Sequence, residues 1–119
     1  MNKSILITGA SGGIGSEIAS QASQQGYKVG LLDLNKEKLK ELESQIPNSI
    51  ALPTDVTDED SVAETLEKFN EIPSALVNCA GIVRFGSLLD QEVKDFKEVI
   101  EVNLLSGFIV SCAVAKLMK

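Results

Sequence analysis

Four short apolar bursts punctuate the chain: Ile5-Leu6-Ile7, Val29-Gly30-Leu31-Leu32, Ile50-Ala51-Leu52 and Ala75-Leu76-Val77. None alternates hydrophobic with polar positions, which is the pattern of a parallel strand covered on both faces. Stretches of helical character lie between them. Ile14 to Gln25 runs up to Gly26, a C-cap residue. Asn35 can cap a helix over Lys36–Gln45, with Leu39, Leu42 and Ile46 on one face. Thr57-Asp58-Glu59-Asp60 places a cap and acids ahead of a helix carrying Val62, Leu66 and Phe69. Leu88 to Glu101 and Asn103 to Met118 predict two further helices, the last apolar nearly all round.

Strands alternating with helices across short connections imply a parallel sheet with right-handed crossovers. The expected fold is therefore α/β: a three-layer α/β/α Rossmann-type arrangement with strand order 3-2-1-4. Residues 1–119 fit one domain, with no repeat, low-complexity tract or linker. A doubly wound sheet normally continues beyond its fourth strand, so this one is expected to be incomplete at its C-terminal end.

Composition narrows the chemistry. Hydrophobic residues make up 44 % and charged residues 24 %, an ordinary globular balance. The net charge of −6 opposes binding to nucleic acid or an anionic membrane surface. With His at 0, a Ser-His-Asp relay, a Cys-His pair and His-containing metal sites are excluded. Cys79 and Cys112 share no metal spacing and read as reduced thiols. Met1-Asn2-Lys3-Ser4 and the brief apolar run behind it are too short for a secretory signal. Leu104 to Ala115 falls short of the ~20 residues a spanning helix needs. A cytoplasmic protein is expected.

Candidate chemistry sits where each burst ends. Thr8-Gly9-Ala10-Ser11-Gly12-Gly13-Ile14-Gly15 joins the first strand to the first helix. Glycines there let the backbone turn tightly and approach a pyrophosphate, whose charge meets the positive end of the helix dipole; Ser11 can add a hydroxyl donor. Asp33 ends the second strand. Its carboxylate can accept from both adenosine ribose hydroxyls and would repel a 2′-phosphate, or it can cap the next helix, a role Asn35 fits equally. Asp55-Val56 follows the third strand, where the acid can meet an adenine amino group and Val can pack on the ring, or Asp55 can belong to a turn. Asn78-Cys79-Ala80-Gly81 follows the fourth. Its small residues let the backbone pass close to a ligand, and Asn78 can tie neighbouring strands together. Cys79 reads as a packed thiol. Asn103, a polar opening to an apolar helix, can cap, bend the helix or hold a water.

In order and spacing, these motifs together with Val102-Asn103-Leu104 resemble the classical short-chain dehydrogenase/reductase family over the whole chain. The resemblance implies an oxidoreductase that interconverts an alcohol and a carbonyl by hydride transfer. It puts the dinucleotide on Gly9, Ser11, Gly12, Gly13 and Ile14, with Asp33 marking NAD as cofactor. The adenine falls on Asp55 and Val56, and Asn78, Ala80 and Gly81 fall on the family's Asn-Asn-Ala-Gly motif, with Cys79 replacing its second Asn. NADP-preferring members place a base in the glycine loop or just after the second strand, where this chain has Gly12 and Leu34. Asn103 falls where the family kinks a helix and anchors a water in its proton relay.

The family's catalytic Ser, Tyr and Lys lie beyond the last helix seen here, and Tyr27, with Leu31 four residues on, does not match its Tyr-x-x-x-Lys motif. Three readings follow. The chain can be the N-terminal part of an NAD-dependent enzyme acting on a small-molecule alcohol or carbonyl as a homo-oligomer. It can instead be a catalytically inactive dinucleotide-binding fragment, or a segment that binds nothing and persists through association.

Overall fold

A computed structural model describes residues 3–119; Met1 and Asn2, the start of the predicted domain, lie outside the described residues. The four bursts become strands β1 (Ser4–Thr8), β2 (Lys28–Asp33), β3 (Ser49–Pro53) and β4 (Ala75–Asn78). They form one parallel sheet in the expected order β3-β2-β1-β4. Helices α1 (Gly13–Gln24) and α2 (Lys36–Gln45) cover one face, and α3 (Glu59–Phe69) and α5 (Ser106–Met118) the other, joined to α5 by α4 (Val93–Ile100).

Each β1 side chain is buried, and successive residues feed opposite cores: Ile5 and Ile7 meet Ala19, Val29, Leu31 and Leu39, while Leu6 meets Leu32, Leu52, Phe69 and Val110. That double coverage explains the missing alternation. Gly30 fits the same crowding, since a Cβ there would lie 2.5 Å from Leu6 Cδ2.

Local signals set the helix ends. Gly26, at φ +91°, closes α1 with Tyr27 N–H on Ala22 O and its own N–H on Ser23 O, the double bond of a Schellman turn. Asn35 caps α2 through Lys38 N–H. Asp58 caps α3 through Asp60 and Ser61 N–H. At the amino edge of the sheet, the Lys28 ammonium bonds Glu71 at 2.9 Å and holds its carboxyl below the ordinary carboxylate range.

The two sheet edges differ. The β3 edge is blunted, because the Glu43 carboxylate accepts Ala51 N–H at 2.6 Å. β4 is only half-buried along Ala75–Val77 and pairs with β1 on one side alone.

The C-terminal region departs from expectation. Leu88–Asp90 forms only a 3-10 turn, and α4 begins at Val93. α4 and α5 are one continuous helix, Val93–Met118, interrupted by a π-turn over Glu101–Leu105. Asn103 therefore opens no helix; it sits inside that turn. Ser106 N–H reaches back to Glu101 O, and the buried Ser106 hydroxyl takes over the displaced Val102 carbonyl. At 26 residues the helix is long and apolar enough to cross a membrane by length and composition, unlike the shorter stretch read from sequence. Its inner half packs on the sheet through Val110 and Val114, whereas Phe96, Leu104 and Phe108 stay exposed.

Candidate functional site

Parallel strands deliver their carboxyl ends to one edge. In the order β3-β2-β1-β4 the winding of the sheet reverses between β1 and β4, the place where open α/β sheets hold their ligands. Every predicted site residue except Asn103 lies at this edge: Asp33 and Asn78 end β2 and β4, Gly13 and Ile14 open α1, and the others lie in the loops that follow the strands.

The glycine loop is built by close packing. Gly9 has φ +64°, and a Cβ on it would lie 2.5 Å from Cys79 O and 2.7 Å from Ala80 N. A Cβ on Gly15 would lie 2.3 Å from Gly9 O. Both glycines thus let the loop pass between β4 and α1. Thr8, which the sequence reading quoted without assigning a role, fixes that approach. Its buried Oγ1 accepts Cys79 N–H at 3.1 Å and Ala80 N–H at 3.2 Å. A hydroxyl at a strand end gives no sequence signal of such a partner, because the partner, adjacent in the sheet, lies more than 70 residues away along the chain.

Gly12 and Gly13 answer to something else. No side chain caps α1, whereas Asn35 and Asp58 cap α2 and α3. Gly12 N–H turns back to Gly9 O at 3.1 Å and the first bond of α1 is Ser16 N–H to Gly12 O at 2.9 Å, so the amides of Gly13, Ile14 and Gly15 are left at the positive end of the helix dipole. A Cβ on Gly13 would meet nothing within 4 Å. The fold's own packing does not require glycine there. Space and donors together fit a pyrophosphate laid against the backbone, and Ile14, 74 % exposed, flanks it.

Asp33 stands beside this loop and is tied to it. Oδ2 accepts the Ser11 hydroxyl at 2.6 Å and Ser11 N–H at 3.2 Å, while Oδ1 accepts Asn35 N–H at 3.3 Å. Asn35, not Asp33, caps α2. The Ser11 hydroxyl, expected to serve a phosphate, is thus directed to a carboxylate. No Lys or Arg occurs between Ser4 and Tyr27.

Asp55 and Val56 lie one strand further out. Asp55 Oδ1 accepts the Thr57 hydroxyl at 2.6 Å and Thr57 N–H at 3.0 Å, the turn chemistry that was its alternative reading. Its Oδ2 makes no hydrogen bond among the described residues. The Val56 side chain belongs to the core and is 8 % exposed, which corrects the expectation of a side chain free to pack on a ring.

Asn78 also differs from expectation. Its Nδ2 donates to Ser111 Oγ at 3.1 Å, tying the end of β4 to α5 and not to a neighbouring strand. Ala80 packs against the core and Gly81 faces the Asn103 amide, where a Cβ would lie 3.4 Å from Oδ1. Asn103 reads the backbone of the next residue as a strand would: Oδ1 accepts Ile82 N–H at 2.7 Å and Nδ2 donates to Ile82 O at 2.9 Å. The π-turn thereby docks the loop after β4. Alanine at 103 is expected to cost about 1–2 kcal/mol and to speed amide exchange at Ile82, measured by hydrogen-exchange mass spectrometry; unchanged exchange would remove this docking role.

Tyr27 sits just before β2, at the opposite edge of the sheet, packed against the core with Lys3 Nζ 5.5 Å from its ring centre. Cys79 and Cys112 are free and half-buried.

The family model described as short chain dehydrogenase matches residues 3–119, the full described length. The chain belongs to the short-chain dehydrogenase family. The short-chain dehydrogenase/reductase likeness runs through relatives and solved structures alike. The chain is 36 % identical over 108 residues to dehydrogenase/reductase SDR family member 6 of Danio rerio, covering 91 % of this chain and 43 % of that protein. It superposes on a short-chain dehydrogenase/reductase from Vibrio parahaemolyticus with a TM-score of 0.86 and 31 % identity, covering 94 % of this chain and 54 % of the other. A 3-ketoacyl-(acyl-carrier-protein) reductase from Brucella melitensis, complexed with NADH, shares the fold at a TM-score of 0.86 and 24 % identity, covering 94 % and 48 %. This short-chain dehydrogenase chain spans about half the length of the proteins it matches.

Proposed function

We propose that the whole protein is an NAD-dependent oxidoreductase interconverting an alcohol and a carbonyl, with the described residues supplying its dinucleotide site. The observation that carries this reading is Asp33, a carboxylate at the carboxyl end of β2, hydrogen-bonded to the glycine loop where a diphosphate would lie. A ribose diol offers two donors to such an acid, whereas a 2′-phosphate brings like charge against it. The α1 amides would hold the pyrophosphate, and Asp55 Oδ2 can accept from the adenine amino group. The bound nicotinamide would supply or take the hydride. The NADH held by the Brucella reductase, similar in fold, supports the same class of ligand.

Calorimetric titration of the full-length protein tests this. NADH is expected to bind at least about tenfold more tightly than NADPH, the worth of a charge-assisted hydrogen bond set against a like-charge contact. Equal or reversed affinities would remove Asp33 as the selector.

A second reading, dinucleotide binding without turnover by residues 1–119 alone, is favoured by Tyr27. The chain's one tyrosine sits at the sheet edge opposite the glycine loop, out of reach of that site. Homo-oligomer formation is supported by exposed apolar side chains along α4 and the loop before it, with Phe85 95 %, Leu89 93 % and Phe96 61 % exposed.

A further inference from the structure

Asp33 has more donors than a diol-binding carboxylate needs. Its two oxygens offer about four lone-pair positions. Ser11 N–H and the Ser11 hydroxyl fill both on Oδ2, and Asn35 N–H takes one on Oδ1. One position is left, while a ribose diol brings two hydroxyl donors. Both cannot be satisfied until one of the three donors leaves.

The three donors are not equally able to leave. Asn35 N–H is fixed by the turn into α2, and Ser11 N–H by a loop that Gly9 packs against Cys79 and Ala80. The Ser11 hydroxyl alone swings away by rotation about one bond. It is also the shortest of the three contacts, at 2.6 Å against 3.2 and 3.3 Å.

We propose that the Ser11 hydroxyl is a built-in stand-in for a ribose hydroxyl: it holds Asp33 Oδ2 until the dinucleotide's adenosine ribose displaces it. The inference rests on the reading of this edge as a dinucleotide site. It makes Ser11 a positioning residue that keeps Asp33 aimed at the loop and lowers affinity by competing with the ligand. A phosphate-binding role for the same hydroxyl predicts the opposite sign, because removing it would then weaken binding.

The test is calorimetry on the full-length protein with ADP and with 2′,3′-dideoxy-ADP, for the wild type and Ser11→Ala. Ser11→Ala is expected to bind ADP more tightly, by about tenfold, the lower end of the net worth of one hydrogen bond to a charged group. The dideoxy analogue, which has no hydroxyl to place on Oδ2, is expected to show no such gain. Ser11→Thr keeps the hydroxyl and is expected to restore wild-type affinity. Should Ser11→Ala fail to fold, Ser11→Cys, whose thiol is a weak donor, is expected to move affinity in the same direction. Weaker or unchanged ADP binding by the variant, or an equal gain with the dideoxy analogue, would overturn the proposal while leaving the site intact. A wild type that binds neither ADP nor NADH would overturn the site and the stand-in together.

Discussion

Alanine at Gly9 is expected to destabilise the protein by about 2–5 kcal/mol, adding a left-handed backbone penalty of about 1–2 kcal/mol to an overpacking cost of about 1–3 kcal/mol. The position combines φ +64° with a Cβ that would lie 2.5 Å from Cys79 O, a backbone atom that has no rotamer to escape into. Set against a total stability of roughly 5–15 kcal/mol, this is a large fraction, and a fall of about 5 °C or more in melting temperature is expected. Gly13→Ala is the matched control. Its Cβ meets nothing within 4 Å, so the fold is expected to survive with its melting temperature nearly unchanged. NADH binding by this variant is expected to weaken, because the added methyl stands where the pyrophosphate would approach the backbone. Thermal melts and NADH titrations of both variants separate the two roles. A stable Gly9→Ala would contradict the packing argument, and a Gly13→Ala with full affinity would move the diphosphate elsewhere.

The second large effect belongs to Asp33. Alanine there removes the acceptor for both ribose hydroxyls, and NADH affinity is expected to fall about a hundredfold, two hydrogen bonds to a charged group. NADPH is expected to lose far less, because the same change removes the negative charge that opposes its phosphate. Selectivity measured as the ratio of the two dissociation constants should therefore collapse. The carboxylate also anchors Ser11 through two hydrogen bonds, so some loosening of the glycine loop accompanies the change. That loosening acts on both cofactors alike, which is why the ratio is the informative quantity. An unchanged ratio would show that selectivity lies elsewhere.

Much of the architecture is legible in the amino-acid sequence, for reasons visible at single residues. β1 had to be buried on both faces because Ile5, Leu6 and Ile7 leave no polar side for water. The start of α2 is readable because Asn35 satisfies a free amide with its own side chain, a contact spanning three residues. Gly26 was readable as a stop for the same local reason. The glycine loop announced itself because a strand, a tight turn and a helix are consecutive in the chain.

The misreadings share a different cause. Asn103 reads as the opening of a helix that it can cap, bend or use to hold a water. Its partner Ile82 lies 21 residues away and holds it inside a π-turn, so the bend is what forms and the helix starts ten residues earlier, at Val93. Leu88 to Asp90 carry helical spacing, yet only a short 3-10 turn forms there, with Ser87 Oγ accepting Leu89 N–H at 3.3 Å, and the α-helix starts at Val93. Val56 was free to face a ligand on paper; the core drew it in.

The strands, the caps of α2 and α3 and the acid at the end of β2 are written in the sequence. They follow from periodicity and from hydrogen bonds between near neighbours, which the chain carries wherever it folds; the strand order follows from the winding rule for alternating strands and helices. Tertiary structure alone decided that Thr8 grips Cys79 and Ala80, that Ser11 spends its hydroxyl on Asp33, and that Asn103 clamps Ile82. Each of those contacts joins residues 21 to 72 positions apart. A side chain's choice among such partners is fixed only when the sheet brings their loops to one edge.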